Sequence, residues 1–376
     1  KRSEIHLIDF PKQGVAKTTN IPTGREYFDS ILISKQVKKI KEIKDDYDLS
    51  IVLSWAAARV AYLAGINYMI YFVGGDIGNP PFVKNNIPIY SGGKEFIPHL
   101  NWIERNFYKK VFDTAICHVA SKNEFFFLKK YTSSGIRFDR VFVDTTLFHD
   151  KIKPINKPKK KFTFLSIGRI GKAKGTDIIW EALKLCKTDF EILQVEWFIE
   201  RTGEEKKDNE MLIKNLPNQV KLIPLIKREE LSKYIIWADA VMGQITGNTS
   251  AIERDAAFCK KPVINYTDKS IQCILENKHL ESPFVPTTNE PKQIAEIIDR
   301  VVESKNFRDD LLKKEREFVL EIANPEKFAQ WWDSFFEQMA TKHKSINRNS
   351  SKFALKLNLI LFLIGNRLYS KKIFNS

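Results

Sequence analysis

The chain has 376 residues, 43% hydrophobic and 28% charged, a composition typical of a globular protein long enough for about two domains. Its formal net charge of +15 fits nucleic acid or an anionic membrane surface as a partner. No apolar run reaches the roughly 20 residues of a membrane-spanning helix. The cysteines show neither a CxxC motif nor a metal-ligand spacing with histidine, so we expect reduced core thiols in a cytoplasmic protein. They are Cys117, Cys186, Cys259 and Cys273.

Residues 1–150 alternate short apolar runs with helical patterns, which indicates an N-terminal α/β domain. We predict strands at residues 5–10, 49–53 and 68–73 and helices at residues 27–44 and 55–64. The strand at 68–73 runs into two glycines and Asp76, so the Asp76 carboxylate is a candidate to face a ligand at the end of that strand. A simple turn aspartate is the alternative. Residues 79–100, rich in proline and glycine, are predicted to form a loop.

A segment with six lysines and two prolines, residues 150–161, is predicted to link two domains. A buried strand at 162–167 follows, then a loop that contains Gly168, Arg169 and Lys174, and then an amphipathic helix. Two cations beside the free N–H groups of a helix start suit a diphosphate at the carboxyl end of a strand. A surface turn with solvated cations would show the same pattern.

A second candidate anion site precedes the helix predicted after Ser250. Asn248, Thr249 or Ser250 can cap this helix, and Gly247 comes directly before them. The N–H groups of the first helical turn would then point at a phosphate. Glu253, one turn into the helix, can accept hydrogen bonds from ribose hydroxyls; an acidic residue favoured by the helix dipole is the alternative.

The first of these loops resembles the start of the second domain in retaining, nucleotide-sugar-dependent glycosyltransferases of the GT-B type, the family 4 group. Those enzymes carry a strand, the pattern G-R-x4-K-G and a helix. This chain has Gly168 and Arg169, then Lys174 and Gly175, at the same spacing. The resemblance implies that Arg169 and Lys174 hold the donor diphosphate.

The second loop resembles the E-x7-E pattern of the same family, which ends in Pro-Val. Glu253 occupies the place of the second glutamate, and Pro262 and Val263 match the end. Ile245 occupies the place of the first glutamate, which contacts the transferred sugar in relatives. This departure puts the identity of the sugar in doubt. It also leaves open an alternative function, a non-catalytic homologue that binds a sugar nucleotide or a partner protein.

The resemblance implies an α/β fold with two Rossmann-like domains whose parallel sheets face a cleft. The acceptor domain would span residues 1–150 and the donor domain residues 151–340, whose last helix crosses back to the first domain. The reaction would move a sugar from a nucleotide sugar to a glycan or lipid-linked hydroxyl acceptor with retention, without cofactor or metal. Asp76 would lie in the catalytic region. The donor site would comprise Gly168, Arg169, Lys174, Gly247, Asn248, Thr249, Ser250 and Glu253.

Asp46 and Asp48 spell D-x-D, the metal signature of a different glycosyltransferase fold. They directly precede a predicted strand, where aspartate is common in turns, so we predict no metal site there.

The remaining segment, residues 341–376, carries eight lysines or arginines and no acidic residue, and residues 353–364 are almost wholly apolar. An apolar helix with basic flanks can lie on an anionic membrane surface. This favours a peripheral protein on the cytoplasmic face of a membrane. A last helix packed on the first domain is the alternative. No nucleic-acid-binding motif is present, so we predict no nucleic acid partner.

Overall fold

The computed structural model describes residues 30–43, 46–53, 55–73, 77–78, 80–84, 102–198, 200, 203–247, 250–270, 273–343, 357, 360–361 and 364. The chain forms two compact units, the first made of residues 1–138 and 329–376 and the second of residues 139–328. Within the described ranges, no helix is long and apolar enough to cross a bilayer.

The first unit contains a parallel sheet of four strands in the order β1–β2–β3–β4. Its elements are α1 (Ser30–Ile43), β1 (Ser50–Val52), α2 (Trp55–Ala64), β2 (Tyr68–Phe72), α3 (Trp102–Thr114), β3 (His118–Ala120), α4 (Lys122–Leu128) and β4 (Ile136–Arg137). The predicted helix at residues 55–64 and the predicted strand at 68–73 are confirmed. The predicted strand at residues 5–10 lies outside the described residues.

The second unit contains a parallel sheet of five strands in the order β7–β6–β5–β8–β9. Its strands are β5 (Phe162–Ser166), β6 (Phe190–Val195), β7 (Val220–Ile223), β8 (Ala240–Met242) and β9 (Val263–Ile264), with a separate hairpin of β10 (Cys273–Leu275) and β11 (Lys278–Leu280). Its helices are α5 (Thr176–Leu183), α6 (Gly203–Lys214), α7 (Arg228–Trp237), α8 (Ala251–Phe258), α9 (Pro291–Glu303) and α10 (Lys305–Ile322), and α11 (Pro325–His343) follows.

Alternate residues of the central strand β5 enter two different cores. Phe164 packs with residues of α5 and α9 on one face of the sheet. Leu165 packs with residues of α7, α8 and α10 on the other face. Because successive side chains of a strand point to opposite faces, a run that is apolar at both positions requires helices on both sides. The second unit is therefore a doubly wound α/β structure, as predicted.

The strand order reverses between β5 and β8. The chain proceeds from β5 to β6 and β7 on one side, then returns to place β8 and β9 on the other side. In a doubly wound sheet, the crevice outside the carboxyl ends of the strands at such a reversal is the usual place for a ligand.

The segment predicted as a linker, residues 150–161, belongs to the second unit. The Ile155 N–H donates to the Lys233 carbonyl oxygen at 3.4 Å, and the indole N–H of Trp237 donates to the Lys157 carbonyl oxygen at 2.8 Å. The chain leaves the first unit at residues 138–139, before this segment begins.

From residue 329 onward, the closing helix α11 belongs to the first unit, and its aromatic residues pack there. Trp332 is 7% exposed and packs edge-on against Tyr71, with ring centroids 5.7 Å apart. Trp331 stacks on Phe138 at 4.1 Å. These tryptophans are packing residues of the first unit.

Candidate functional site

A pocket lies at the point of strand reversal, beside the carboxyl ends of β5, β6 and β8. Polar residues and glycines from the strand ends and the loops after β5 and β8 form much of its lining, which includes Ser166, Gly168, Arg169, Lys174, Thr176, Gln194, Gly243 and Gln244. Both predicted phosphate-binding cations, Arg169 and Lys174, are thus brought to one pocket.

The loop between β5 and α5 is held against the loop after β8. Gly175 has φ +71°, and a Cβ atom there would lie 2.7 Å from the Ile245 carbonyl oxygen. The Ile245 N–H donates to the Lys174 carbonyl oxygen at 3.2 Å. Only glycine combines this left-handed backbone with so close an approach. The contact therefore fixes the backbone from which Lys174 projects.

The Lys174 side chain reaches across to the loop after β8. Its ammonium group donates to the Gln244 side-chain oxygen at 2.7 Å. Gln244 is 9% exposed, so its amide is a fixed partner. An amide is neutral, so this hydrogen bond positions the ammonium group without cancelling its charge.

Arg169 is positioned by residues at the end of β6. The Gln194 side-chain amide donates to the Gly168 carbonyl oxygen at 2.9 Å, and the Ile170 N–H donates to the Trp197 carbonyl oxygen at 2.7 Å. The guanidinium carbon of Arg169 lies 5.4 Å from the centre of the Trp197 ring. Residues 194–197 thus contact the backbone on each side of Arg169 and also its side chain.

The loop between β8 and α8 is described in part. Gly247 has φ +83°, and its carbonyl oxygen accepts from the Asp268 N–H at 2.9 Å. Ser250 is the N-cap of α8. Asn248 and Thr249 lie outside the described residues.

Glu253 is fully buried and forms a capping box with Ser250. One carboxylate oxygen, Oε2, accepts from the Ser250 N–H at 2.6 Å and from the Ser250 hydroxyl group. The other oxygen, Oε1, has no hydrogen-bond partner among the described residues. It lies close to Gly243, a residue of the pocket lining, since a Cβ atom at Gly243 would be 2.7 Å from it.

Two more acidic residues are buried near Glu253. The Glu315 side chain in α10 accepts from the Val263 N–H at 3.0 Å, and burial, with the nearby charge of Glu253, raises the pKa of Glu315 well above its usual range. Burial also raises the pKa of Asp255 in α8 to about 6, although the Arg228 guanidinium lies 3.8 Å away. Desolvation disfavours the charged form of a carboxyl group in both cases.

Residues 148–318 match the family model described as glycosyl transferases group 1. These residues are similar to that family. The matched range begins before β5 and ends in α10, so it contains the pocket and both phosphate-binding candidates. The family predicted from the sequence is confirmed for the group 1 domain.

Solved structures of similar fold extend the comparison beyond the group 1 domain. HepE from Anabaena, solved in complex with UDP, has 13% sequence identity and a TM-score of 0.57, and the match covers 82% of each chain. Sucrose-phosphate synthase from Thermosynechococcus elongatus has 16% identity and a TM-score of 0.62, with 88% of this chain and 82% of that chain covered. Identities this low show the fold alone, which is the predicted α/β fold of GT-B glycosyltransferases. A search of curated proteins by sequence finds no match.

Ile245, where the family pattern has a glutamate, belongs to the core of the group 1 domain. It is 3% exposed and packs with residues of the same core cluster as Phe164. The departure from the family pattern thus places an apolar, buried side chain beside Gly175, at the edge of the pocket.

The candidates in the first unit are less completely described. Asp76 lies outside the described residues, and Asp46 and Asp48 precede β1. In the described part of the chain, no group of three or more His, Cys, Asp or Glu could hold a metal ion. Independence from metal stays a prediction.

The sequence analysis did not identify Gln194, Trp197 or Gln244 as site residues. An isolated glutamine at a strand end has no distinctive spacing. The fact that β6 and β8 flank β5 is what brings these side chains to Arg169 and Lys174.

Proposed function

We propose that the chain transfers a sugar from a nucleotide-diphosphate sugar to a hydroxyl group of an acceptor. The observation that carries the proposal is the pocket at the strand reversal, where Arg169 and Lys174 come together. When the bond between sugar and diphosphate breaks, negative charge grows on the leaving diphosphate. Two cations already in place stabilise that charge without reorganisation.

Glu253 is proposed to bind the donor ribose. Its Oε1 atom is buried without a hydrogen-bond partner among the described residues, which costs free energy unless a donor is supplied. This oxygen lies near Gly243, which lines the pocket, since a Cβ atom at Gly243 would be 2.7 Å from it. A ribose hydroxyl group beside Gly243 would provide the donor.

The rest of the proposed donor site lies around the starts of α5 and α8. Gly168 leaves open space, since a Cβ atom there would have no neighbour within 4 Å. Gly247, Asn248, Thr249 and Ser250 precede α8, whose first-turn N–H groups favour an anion. In the first unit, Asp76 is proposed to act in the catalytic region near the transferred sugar.

Retention of configuration and independence from metal complete the proposed reaction. The two cations and the helix starts supply the positive charge that a metal supplies in other transferases. HepE has been solved with UDP-glucose, so a uridine diphosphate sugar is the first donor to test.

The proposed acceptor is a lipid-linked glycan or another surface polysaccharide precursor, used at the cytoplasmic face of a membrane. An exposed apolar helical face near the C-terminus supports this location; it is formed by Leu357, Ile360, Leu361 and Ile364. Each is helical and 43–52% exposed, and the spacing of i, i+3, i+4 and i+7 places them on one face of a helix. Basic residues precede and follow this apolar face in the sequence.

The direct test is to incubate the full chain with a panel of nucleotide sugars and measure release of the nucleoside diphosphate, with and without EDTA. We expect release with at least one donor, unchanged by EDTA. Strict dependence on an added divalent ion would overturn the metal-independent mechanism. Absence of both binding and turnover across the panel would overturn the function.

A second candidate function, a non-catalytic binder of sugar nucleotides, is favoured by Ile245. An apolar, buried side chain offers no acceptor to a sugar hydroxyl group at the place where the family has a carboxylate. Tight binding of a nucleotide sugar without hydrolysis or transfer, measured with the same panel, would support this alternative.

A further inference from the structure

Trp197 is a large aromatic residue that lies beside the proposed donor site and is 43% exposed. Tryptophan usually stabilises a protein by burial, and this one is far from fully buried. Its ring centre lies 5.4 Å from the guanidinium carbon of Arg169, within the range of a cation–π interaction. Contact with Arg169 therefore explains its position better than core packing does.

We propose that Trp197 is a positioning residue for donor binding, whose indole face holds the Arg169 guanidinium in place for the donor diphosphate. The inference rests on the proposed function, because it needs an anionic ligand at Arg169. It assigns a role to a residue outside the two loops that the family pattern identifies.

The contacts of Trp197 with the loop after β5 are of two separable kinds. Its carbonyl oxygen accepts from the Ile170 N–H at 2.7 Å, and this contact survives any substitution of the side chain. Its indole ring contacts the guanidinium group of Arg169, and this contact depends on the side chain. Substitution at residue 197 thus changes the guanidinium position and leaves the backbone tie intact.

An aromatic face is well suited to position a cation that must also bind a phosphate. A long arginine side chain loses rotamer freedom when it binds, and a preformed contact reduces that loss at the moment of binding. A carboxylate partner would compete with the diphosphate for the guanidinium N–H groups. An indole ring attracts the cation by its π face and adds no negative charge beside it.

The test measures the affinity of the full chain for a nucleoside diphosphate by calorimetry. The ligand used is whichever of UDP, GDP and ADP binds the wild-type chain most tightly. We expect Trp197→Ala and Trp197→Leu to weaken binding about three- to tenfold, the range of a partly exposed cation–π contact, and Trp197→Phe to stay within about twofold of wild type. Leucine keeps an apolar side chain but has no π face. The Trp197→Leu variant therefore separates the effect of apolar contact from that of the cation–π interaction.

A second arm places Trp197→Ala in an Arg169→Ala background. If Trp197 acts through Arg169, the second substitution causes no further loss of affinity, because the group that it positions is gone. Met211→Ala is the matched control: Met211 is 63% exposed on α6 and does not line the pocket. We expect it to bind the ligand as the wild type does.

The outcomes distinguish this inference from the proposed function. If the wild type binds none of the three nucleotides, the proposed function fails and the role of Trp197 fails with it. If the wild type binds and Trp197→Ala binds equally well, the role of Trp197 alone is wrong. It is also wrong if Trp197→Leu matches Trp197→Phe, or if Trp197→Ala weakens binding further in the Arg169→Ala background.

Discussion

Neighbouring lysines in the loop after β5 have different partners. Lys172 forms an ion pair with Asp208 at 2.7 Å on the surface. Lys174, two residues later, donates to the neutral side chain of Gln244 inside the pocket. An exposed ion pair contributes little to stability. The sequence alone shows two lysines in one loop. Their surroundings in the structure identify Lys172 as a surface residue and Lys174 as a candidate for ligand binding.

This difference predicts the effect of removing each cation. We expect Arg169→Ala and Lys174→Ala each to lower the turnover of the donor at least about tenfold, since a charge-assisted hydrogen bond contributes about 1.5–3 kcal/mol. Lys172→Ala is the control from the same loop and should leave turnover unchanged. Near-normal turnover in either of the first two variants, with thermal unfolding as in the wild type, would contradict their assignment to the donor site.

Glu253 combines a structural contact with a proposed binding contact in one carboxylate. Its Oε2 atom caps α8 through Ser250, and its Oε1 atom faces the backbone of Gly243. Glutamine also forms capping boxes, so Glu253→Gln can keep the cap while it loses the charge. We expect affinity for the nucleoside diphosphate to fall about three- to tenfold, because the charged acceptor is replaced by a neutral one.

The control for Glu253→Gln is a cap in another part of the second unit. Ser304 accepts from the Phe307 N–H at 3.2 Å at the start of α10. Ser304→Ala should lower the free energy of unfolding by about 1 kcal/mol and leave nucleotide affinity unchanged. If calorimetry found unchanged affinity in Glu253→Gln, the residue would be a helix cap alone.

At the scale of elements, two glycines flank the proposed phosphate-binding loop and serve different purposes. Gly175 has a left-handed backbone and contacts the Ile245 backbone, whereas a Cβ atom at Gly168 would meet open space. We expect Gly175→Ala to lower the free energy of unfolding by about 2 kcal/mol or more, from backbone strain and the close contact. Gly168→Ala should change it by less than about 0.5 kcal/mol and should weaken donor binding by filling space that the ligand needs.

Denaturant unfolding of both glycine variants, with nucleotide affinity measured on the same samples, checks this prediction. Equal stability of the two variants would show that the contact between the loops after β5 and β8 does not hold the site together.

Helix α8 carries Asp255, whose pKa burial raises to about 6. The unfolded value is about 3.9, so the folded state binds this proton more tightly than the unfolded state does. The contribution of Asp255 to stability is therefore greatest below about pH 4 and is lost as the pH rises through about 6. Asp255→Asn removes the titration and keeps the shape of the side chain.

We expect Asp255→Asn to gain free energy of unfolding relative to the wild type as the pH rises from about 5 to about 7.5. Its partner Arg228 has a side chain that is 54% exposed, so the loss of that ion pair should cost little. Urea unfolding at several pH values gives the measurement. Parallel curves for variant and wild type across this range would refute the raised pKa.

At the scale of the whole molecule, the net charge of +15 is concentrated toward the C-terminus, where residues 341–376 carry eight cations. The described residues of that segment place Leu361 and Ile364 on an exposed apolar helical face. An apolar face inserts into the headgroup region, and each lysine or arginine near an anionic surface adds about 1 kcal/mol.

Sedimentation with vesicles tests this proposed membrane contact. We expect the full chain to sediment with anionic vesicles at low salt and to remain in solution with neutral vesicles. Replacement of both Leu361 and Ile364 by Glu should abolish sedimentation without changing nucleotide affinity. If the wild-type chain stays in the supernatant with anionic vesicles, the membrane contact is wrong.

Local patterns were sufficient to predict much of the second unit. The apolar run at residues 162–167 predicted β5, and the helical spacing of apolar residues after Gly175 predicted α5. A strand that is buried on both faces is apolar at every position, whereas a helix that is buried on one face is apolar at every third or fourth position. Arg169 and Lys174 were identifiable for the same reason, since both lie in the loop between these two elements. In the first unit, the described strand β2 and helix α2 were predicted by the same periods.

Only the tertiary structure decided which residues surround those cations. Gln194, Trp197 and Gln244 are far from the loop in sequence, and the strand order β6–β5–β8 brings them to it. It also decided that Ile245 is a packing residue beside Gly175 and that Glu253 approaches the pocket behind Gly243. Periodicity reports which face of an element is buried, and it carries no information about which elements become neighbours. For this reason, the sequence by itself predicted Arg169 and Lys174 as binding residues. The residues that position these two cations could be identified only from the order of the strands in the folded sheet.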